Sequence, residues 1–449
     1  AGPITQLLQP GRAAQDLELA TDLMRIVFLS MGFLVLSAWC LGILNSHRHF
    51  FLSYMAPVLW NATQIIVLLA LVLNDWNGVS AAKAVAWAMF IGGVAQFLVQ
   101  LPTVVRVAGP IRPSLNAKLQ SVKEMRRRFV PAILAKGAVQ ISTFVDLMLA
   151  SFLAVGALGA MRFAQTLYIL PISIFAMSVA AAELPELSRA GADHLGEIVN
   201  RLSVGVMRIA FYVSFAAVAY VLAGDLIIAA LFGWTASLFG SNTWTDDQTL
   251  LVWAVLAAYS FGLIGISVSR LFQNTCWALG DVIGPTRITV IRLVIAAFVG
   301  VTLMFTFDQL LIVDGRFSGF AEISGLRLTP LSDALRTGDN LPLRLGAVGL
   351  GLGSAVGVWI EFALLHRRVS RRIHQTNLSP GTGKLLAPGL LIAIVLVIAL
   401  RFVTASLTPP LAAILTVGLP GIAYIAISAK VGAQPAVTLV RGFLGQVRR

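Results

Sequence analysis

Long apolar segments recur along the whole chain, separated by short polar or charged stretches. They lie near residues 20–44, 54–74, 80–102, 129–154, 160–183, 205–232, 249–273, 286–311, 345–365, 385–406 and 410–430. Each has the roughly 20 residues that a helix needs to cross a bilayer. A helix satisfies its own backbone groups in hydrocarbon, so these segments are expected to fold as membrane-crossing helices, about eleven in all. Composition agrees: 58% of the 449 residues are hydrophobic and 12% charged, where a soluble domain carries about a quarter charged residues. The expected fold class is therefore all-α and polytopic.

The net charge of +13 is gathered into clusters between the spans. His47-Arg48-His49 closes the first span, and Arg106, Arg112, Lys118, Lys123 and Arg126–Arg128 crowd the loop after the third. Arg189 and Arg201, then Arg270 and Arg287, then Arg367, Arg368, Arg371, Arg372 and Lys384, and finally Arg441, Arg448 and Arg449 mark further loops of the same series. The intervening loops 75–79, 155–159, 233–248 and 407–409 hold no Lys or Arg. Basic loops stay in the cytoplasm, so this alternation predicts a cytoplasmic C-terminus and an external residue 1. An external start predicts that an odd number of spans precedes this sequence. Loop 312–344 is the exception. It is outside by count, yet holds Arg316, Arg327, Arg336 and Arg344, offset by Asp314, Glu322, Asp333 and Asp339, and is expected to be a small external insertion. Clustered charge of this kind orients a membrane protein and disfavours nucleic acid as a partner. Cys40 and Cys276 both fall near predicted cytoplasmic ends, so no disulfide is expected.

Catalytic and nucleotide chemistry finds little support. Pro380-Gly381-Thr382-Gly383-Lys384 lacks the earlier glycine of a phosphate loop, and Leu385 stands where Ser or Thr would hold magnesium. The five histidines lie in loops without the spacing of a zinc pair. No metal or cofactor site is expected, and a transporter is favoured over an enzyme. Gly349, Gly353 and Gly357 recur at every fourth position of one span, the spacing of close helix packing, with a sliding surface as the alternative.

Charges inside hydrocarbon cost several kcal/mol and mark cavities or partners. Lys136, Asp146, Arg162, Arg292 and Glu361 are such residues. Lys136, Gln140 and Thr143 share one face of the fourth span, and Arg162, Gln165, Thr166 and Ser173 form a stripe on the fifth. Two polar stripes on successive spans predict a hydrated path between them. Lys136 and Arg162 also lie within reach of the interfaces by snorkelling; Asp146 is deeper, and Arg292 is expected to be an inner-edge anchor.

Several segments resemble the MurJ/MviN family of lipid II flippases, within the multidrug/oligosaccharidyl-lipid/polysaccharide exporter superfamily. Gly42-Ile43-Leu44-Asn45 followed by Ala56-Pro57 and Asn61 is similar to the family pattern around its fourth and fifth spans. Ala86-Trp87-Ala88, Gly92-Gly93, Gln96 and Gln100-Leu101-Pro102 resemble its sixth span, and Pro131–Leu134, Gln140-Ile141 and Ala150–Leu153 its seventh. Pro171, Leu184-Pro185 and Leu187-Ser188-Arg189 resemble its eighth, and Tyr259-Ser260, Gly262-Leu263, Arg270, Asp281 and Pro285 its tenth and the start of its eleventh. The resemblance runs from about residue 10 to the C-terminus and weakens after 300.

That resemblance implies fourteen spans, of which three would precede residue 1, arranged as two pseudo-symmetric helical bundles around a central cavity. Residues 1–201 would be the rest of the N-terminal lobe with linking spans, and 202–449 the C-terminal lobe and final spans. It implies movement of the undecaprenyl-pyrophosphate-linked peptidoglycan precursor across the bacterial inner membrane by alternating access, in a monomer. Arg162, Gln165, Thr166, Lys136 and Gln140 become candidate substrate contacts, since arginine pairs bidentately with pyrophosphate. Asp146 and Glu361 become candidate ligands of a monovalent cation. Three positions depart from the family: Thr166 and Gly300 stand where it keeps arginine and asparagine, and Glu361 where it often has asparagine. Arg162, one turn before Thr166, would stand in for the missing arginine. The rival expectations are an exporter of another polyprenyl-linked glycan or a drug, and a degenerate membrane scaffold; a polytopic glycosyltransferase would need an acidic motif in a large outer loop, and none is evident.

Overall fold

The computed structural model describes residues 2–10, 14–74, 78–109, 144–190, 195–238, 244–281, 283–319, 325–336, 341–375 and 381–447, and singly 76, 120 and 125. The chain folds as two compact units, residues 1–133 and 134–449.

In the first unit, a short helix α1 (Gly2–Leu8) precedes three long ones, α2 (Ala14–Ser46), α3 (Phe50–Leu73) and α4 (Gly78–Ala108). Lipid offers no hydrophobic drive between helices, so small residues and polar contacts hold such bundles together. Gly92 and Gly93 on α4 provide the close approach: a Cβ on Gly92 would lie 3.0 Å from Trp60 Cδ1, and one on Gly93 2.9 Å from Ser30 Oγ. Ser30 Oγ donates to Met89 O at 2.7 Å, and Trp60 Nε1 donates to the same carbonyl at 3.1 Å. Gln96 Nε2 donates to the buried Ser37 Oγ at 2.9 Å. The Gly-Gly and Gln positions of the family-like motif on α4 are thus the residues that bind α4 to α2 and α3.

The second unit begins with the helical segment 144–150 and continues through α5 (Ala157–Pro171), a π-helical stretch Ile172–Met177 and α6 (Ser178–Ala190). Then come α7 (Leu195–Ile228), a second π-helical stretch Ala229–Gly233 and the short α8 (Trp234–Leu238). Next are α9 (Asp246–Ser260), α10 (Leu263–Ala278) and α11 (Ile283–Phe307). After an outer segment follow α13 (Gly346–Ile373), α14 (Thr382–Val403), α15 (Pro409–Val431) and α16 (Gln434–Val447), with α12 (Asp333–Arg336) inside that segment. Residues 201/202, the expected lobe division, fall inside α7. Three features shape the helices. The first π-helical stretch directly follows Pro171, which has no N–H to give the α pattern. α7 kinks at Ala223, where the Leu222 carbonyl instead accepts from Arg401; the same guanidinium holds Asp225 through two bonds of 2.7 and 2.6 Å. α9 and α10 meet at a 43° bend. The Phe261 carbonyl freed there accepts from Trp359 Nε1 at 2.8 Å, and Gly262 lets the bend press on Ala355, 3.0 Å from where its Cβ would be.

Among the described residues, nine helices are long and apolar enough to cross a membrane, ten if the bent α9–α10 pair is one span. They coincide with ten of the expected crossings. Most of the remaining one, 129–154, lies outside the described residues, together with Lys136, Gln140 and Thr143.

The tightest helix pair is α11 with α13. Cβ atoms at Gly349 and Gly353 would lie 2.4 Å from Met304 N and 2.5 Å from Gly300 Cα. A Cβ at Gly357 would lie 2.8 Å from Ala296 Cβ. The glycine repeat is therefore a backbone contact, and Gly300 is its counterpart on α11. A larger residue at Gly300 would meet Leu350, whose Cδ2 lies 3.3 Å from the Cβ position. Gly353→Val drives a branched side chain into the backbone of the facing helix. It is expected to lower unfolding stability by about 3 kcal/mol, the upper end for overpacking, measured as the shift in the denaturation midpoint of the purified protein.

Loop 312–344 carries a small sheet in the order β2 (Arg316–Ser318), β1 (Leu311–Val313), β3 (Leu343–Arg344), antiparallel throughout. It was expected as a small external insertion whose arginines are offset by acidic residues. Two of these arginines are buried and serve as caps: Arg336 Nη1 donates to Phe152 O at 3.2 Å, and Arg344 Nη1 to Asp308 O at 2.9 Å. Helix ends leave carbonyls without partners, and these guanidiniums supply them at the strand-bearing end of the unit.

Candidate functional site

A cavity of about 620 Å³ lies wholly within the second unit. The segment 144–150 contributes Asp146, α5 contributes Gln165 and Tyr168, and α9 contributes Tyr259. α10 presents Arg270, Gln273, Asn274 and Trp277 at i, i+3, i+4 and i+7, one continuous helix face. α11 gives Arg292 and α13 gives Ser354.

Behind this wall stands a hydrogen-bonded network centred on Glu361, which is 1% exposed. Arg292 Nη1 pairs with Glu361 Oε2 at 3.2 Å. Gln273 Nε2 and Thr289 Oγ1 both donate to Glu361 Oε1 at 3.0 Å. Gln273 in turn accepts from Arg270 Nη1 at 3.3 Å. Four residues from two helices, α10 and α11, are thereby fixed around one carboxylate of a third, α13. Arg270 has no carboxylate within ion-pairing distance among the described residues; Glu361 acts on it only from beyond that distance, through the shared Gln273. On the far wall Gln165 Nε2 donates to Tyr259 OH at 3.2 Å, beneath the tilted Tyr168–Tyr259 ring pair at 5.4 Å. Asn274 Nδ2 donates to Ala180 O at 2.8 Å and ties α10 to α6.

The sequence candidates separate in this geometry. Asp146 and Gln165 line the cavity; Glu361 supports it from behind with both oxygens engaged. Arg162 and Thr166 are exposed on α5 and do not line it, with Thr166 Oγ1 donating to Arg162 O at 2.9 Å. Arg162 still lies within electrostatic reach of Asp146, as does Arg292. Lys136 and Gln140 lie outside the described residues. Arg292, expected as an inner-edge anchor, turns inward to Glu361. Arg270 and Gln273 were not among the sequence candidates. The signal was present in the i, i+3, i+4 polar face of α10, but Arg270 stands close enough to the span end to count as a loop charge. Among the described residues no group of three or more His, Cys, Asp or Glu could hold a metal ion.

The family model for lipid II flippase MurJ matches residues 1–315. A lipid II flippase MurJ of Burkholderia cenocepacia is 29% identical over 283 residues, covering 62% of this chain and 52% of the relative. A probable lipid II flippase MurJ of Vibrio cholerae is 28% identical over 295 residues, covering 66% and 54%. The chain thus spans about half the length of the curated relatives it matches. A solved structure described as lipid II flippase MurJ in an inward closed conformation superposes with a TM-score of 0.68 at 16% identity, over 94% of this chain and 77% of that one. It supports the fold. By the extent of the model match, this chain belongs to the MurJ family.

Proposed function

We propose that the protein of which this chain is part moves lipid II, the polyprenyl-pyrophosphate-linked peptidoglycan precursor, across the bacterial inner membrane by alternating access. The observation that carries this is Arg270: a cation in a cavity between membrane-crossing helices, held by Gln273 and without a carboxylate partner among the described residues. A guanidinium without a directly paired carboxylate is costly there unless an anion visits it. A guanidinium also fits pyrophosphate oxygens two at a time. Arg162 lies within electrostatic reach of the same site through Asp146 and substitutes for the arginine that the family keeps at Thr166. Arg292 neutralises Glu361, which leaves Asp146 as the carboxylate for a monovalent cation. Peptidoglycan assembly and cell shape follow from this activity, as does a chain acting as a monomer with lipid II and membrane lipids as partners. The lobe division near 201/202 and the central cavity between lobes belong to the same proposal.

The test is complementation by the full-length protein in cells depleted of their own flippase. Arg270→Ala and Arg162→Ala should each fail at unchanged protein level, and Arg162→Ala with Thr166→Arg should recover. Lysine at 270 should rescue in part, because it keeps the charge and loses the fork. Failure of the unmodified protein to complement would support the second reading, a degenerate scaffold, which Thr166 at the arginine position favours; normal growth of both alanine variants would remove the two arginines from the transport site. We also propose a cytoplasmic C-terminus. Ser406→Cys should then label from outside the cell and His374→Cys only after permeabilisation; the reverse pattern would invert the orientation.

A further inference from the structure

We propose that the arginine-bearing end of α13, with the facing start of α11, forms a binding site for an anionic phospholipid of the surrounding leaflet, separate from the transport cavity. A pocket of about 440 Å³ opens there, lined by Arg367, Arg368, Arg371 and Arg372 together with Ile288, Ile291 and Leu364. It shares no lining residue with the cavity that holds Arg270.

The four arginines are not equivalent. They occupy two adjacent i, i+4 rows on the last turns of α13. Arg368 and Arg372 both pair with Asp281, Arg372 at 3.4 Å, and Arg372 also donates to Leu279 O at 3.2 Å. Asp281 Oδ1 accepts from Gly284 N at 3.0 Å and so caps the start of α11. Gly284 has no side chain where a Cβ would collide with the Arg368 guanidinium. This inner row is therefore fixed in place by the turn that leads into α11. The outer row, Arg367 and Arg371, has no carboxylate partner among the described residues and is exposed. Four guanidiniums against one carboxylate leave an excess of three positive charges.

The rest of the pocket is apolar. Ile291 is 44% exposed and continues into Val290 and Val294, at 48% and 62%, along the lipid-facing side of α11. A row of cations at the end of a span, with an apolar strip running from it toward the bilayer centre, matches a lipid that has a phosphate head and an acyl chain. Basic pockets between membrane helices bind anionic head groups on this principle. A free phosphate would satisfy the arginines but would gain nothing from Ile288, Ile291 and Leu364. Since α11 and α13 are the most closely packed pair in the unit, a lipid bridging their ends would act on both helices together.

The measurement is retention of dioleoylphosphatidylglycerol by the full chain in detergent, read by native mass spectrometry across a lipid titration, with dioleoylphosphatidylcholine as the neutral comparison. Phosphatidylglycerol should bind more tightly than phosphatidylcholine, and Arg367→Ala with Arg371→Ala should weaken it about 30-fold. Asp281→Asn keeps a capping side chain but frees Arg368 and Arg372, and should strengthen binding. Lys384→Ala with Arg441→Ala removes the same charge elsewhere and should change binding by less than about twofold. Equal losses in the two double variants would reduce the site to diffuse charge and overturn the proposal. So would equal binding of the two lipids, or displacement of phosphatidylglycerol by inorganic phosphate at matching concentration. These lipid-binding outcomes do not depend on which substrate the cavity carries.

Discussion

Glu361→Ala should lower the stability of the chain by about 3–5 kcal/mol, the range for removing one partner of a buried ion pair. The loss exceeds that of one contact because the carboxylate serves three donors. Without it Arg292, 16% exposed at its side chain, keeps its charge without a counterion, while Gln273 and Thr289 lose their acceptor. Arg270 then depends on a Gln273 side chain that is no longer oriented. Glu361→Gln preserves an acceptor and the shape, so it should lie between the alanine variant and the parent. Pairing Glu361→Leu with Arg292→Met removes both charges at once and should recover most of the loss, since well-packed apolar pairs often match buried ion pairs in stability. Denaturant unfolding of the four proteins tests this ranking directly. A change below about 1 kcal/mol for Glu361→Ala, a value ordinary for an exposed pair, would mean that the network does not hold the cavity wall.

Asp308→Asn should raise stability at neutral pH by roughly 3 kcal/mol and remove a pH dependence present in the parent. Asp308 follows the last residue of the α11 span and is fully buried beneath the small sheet. Neither carboxyl oxygen has a hydrogen-bond partner; the Ala154 N–H approaches without completing one. Burial pushes its pKa up to about 6, against the pull of Arg344 first and then Ala154, Arg336 and Arg327. The same group in the unfolded chain titrates near 3.9. Between those values the folded chain holds more protons than the unfolded one, so stability falls as pH rises through the window from about 4 to 6. Below about 4 the group contributes no penalty; above about 6 the penalty is complete. The amide stays neutral throughout and should give a flatter curve of melting temperature against pH. Parallel curves for parent and variant would show that Asp308 titrates normally in the fold.

The helices were legible because a bilayer demands about 20 apolar residues from each, whatever surrounds them. Less legible was what long-range packing decides. The bend at residues 260–262 interrupts a segment that reads as one span, and Ala355 and Trp359 accommodate the break from about 95 residues away. Arg401 and Asp225 are 176 residues apart, and neither position signals the other. Charge near a span end has two outcomes, an anchor in the interface or a brace turned inward, and spacing alone does not separate them. Arg270 and Arg292 turned inward because Gln273 and Glu361 meet them there. The arginines of the 312–344 segment are a similar case: nothing in their spacing signals that Arg336 and Arg344 are buried against carbonyls. Gly349, Gly353 and Gly357 were readable from spacing, and the structure adds that Gly300 completes the contact.

In the proposed function, the Arg270 cavity carries a pyrophosphate-linked lipid across the membrane. The most direct measurement is the appearance of lipid II in the opposite leaflet of vesicles containing the full-length protein, comparing the parent with Arg270→Ala at equal protein content. Loss of a charge-assisted contact of this kind should slow transfer by about tenfold or more, while the variant melts within a few degrees of the parent. Transfer by Arg270→Ala at the parental rate, or no transfer by the parent itself, would rule this role out.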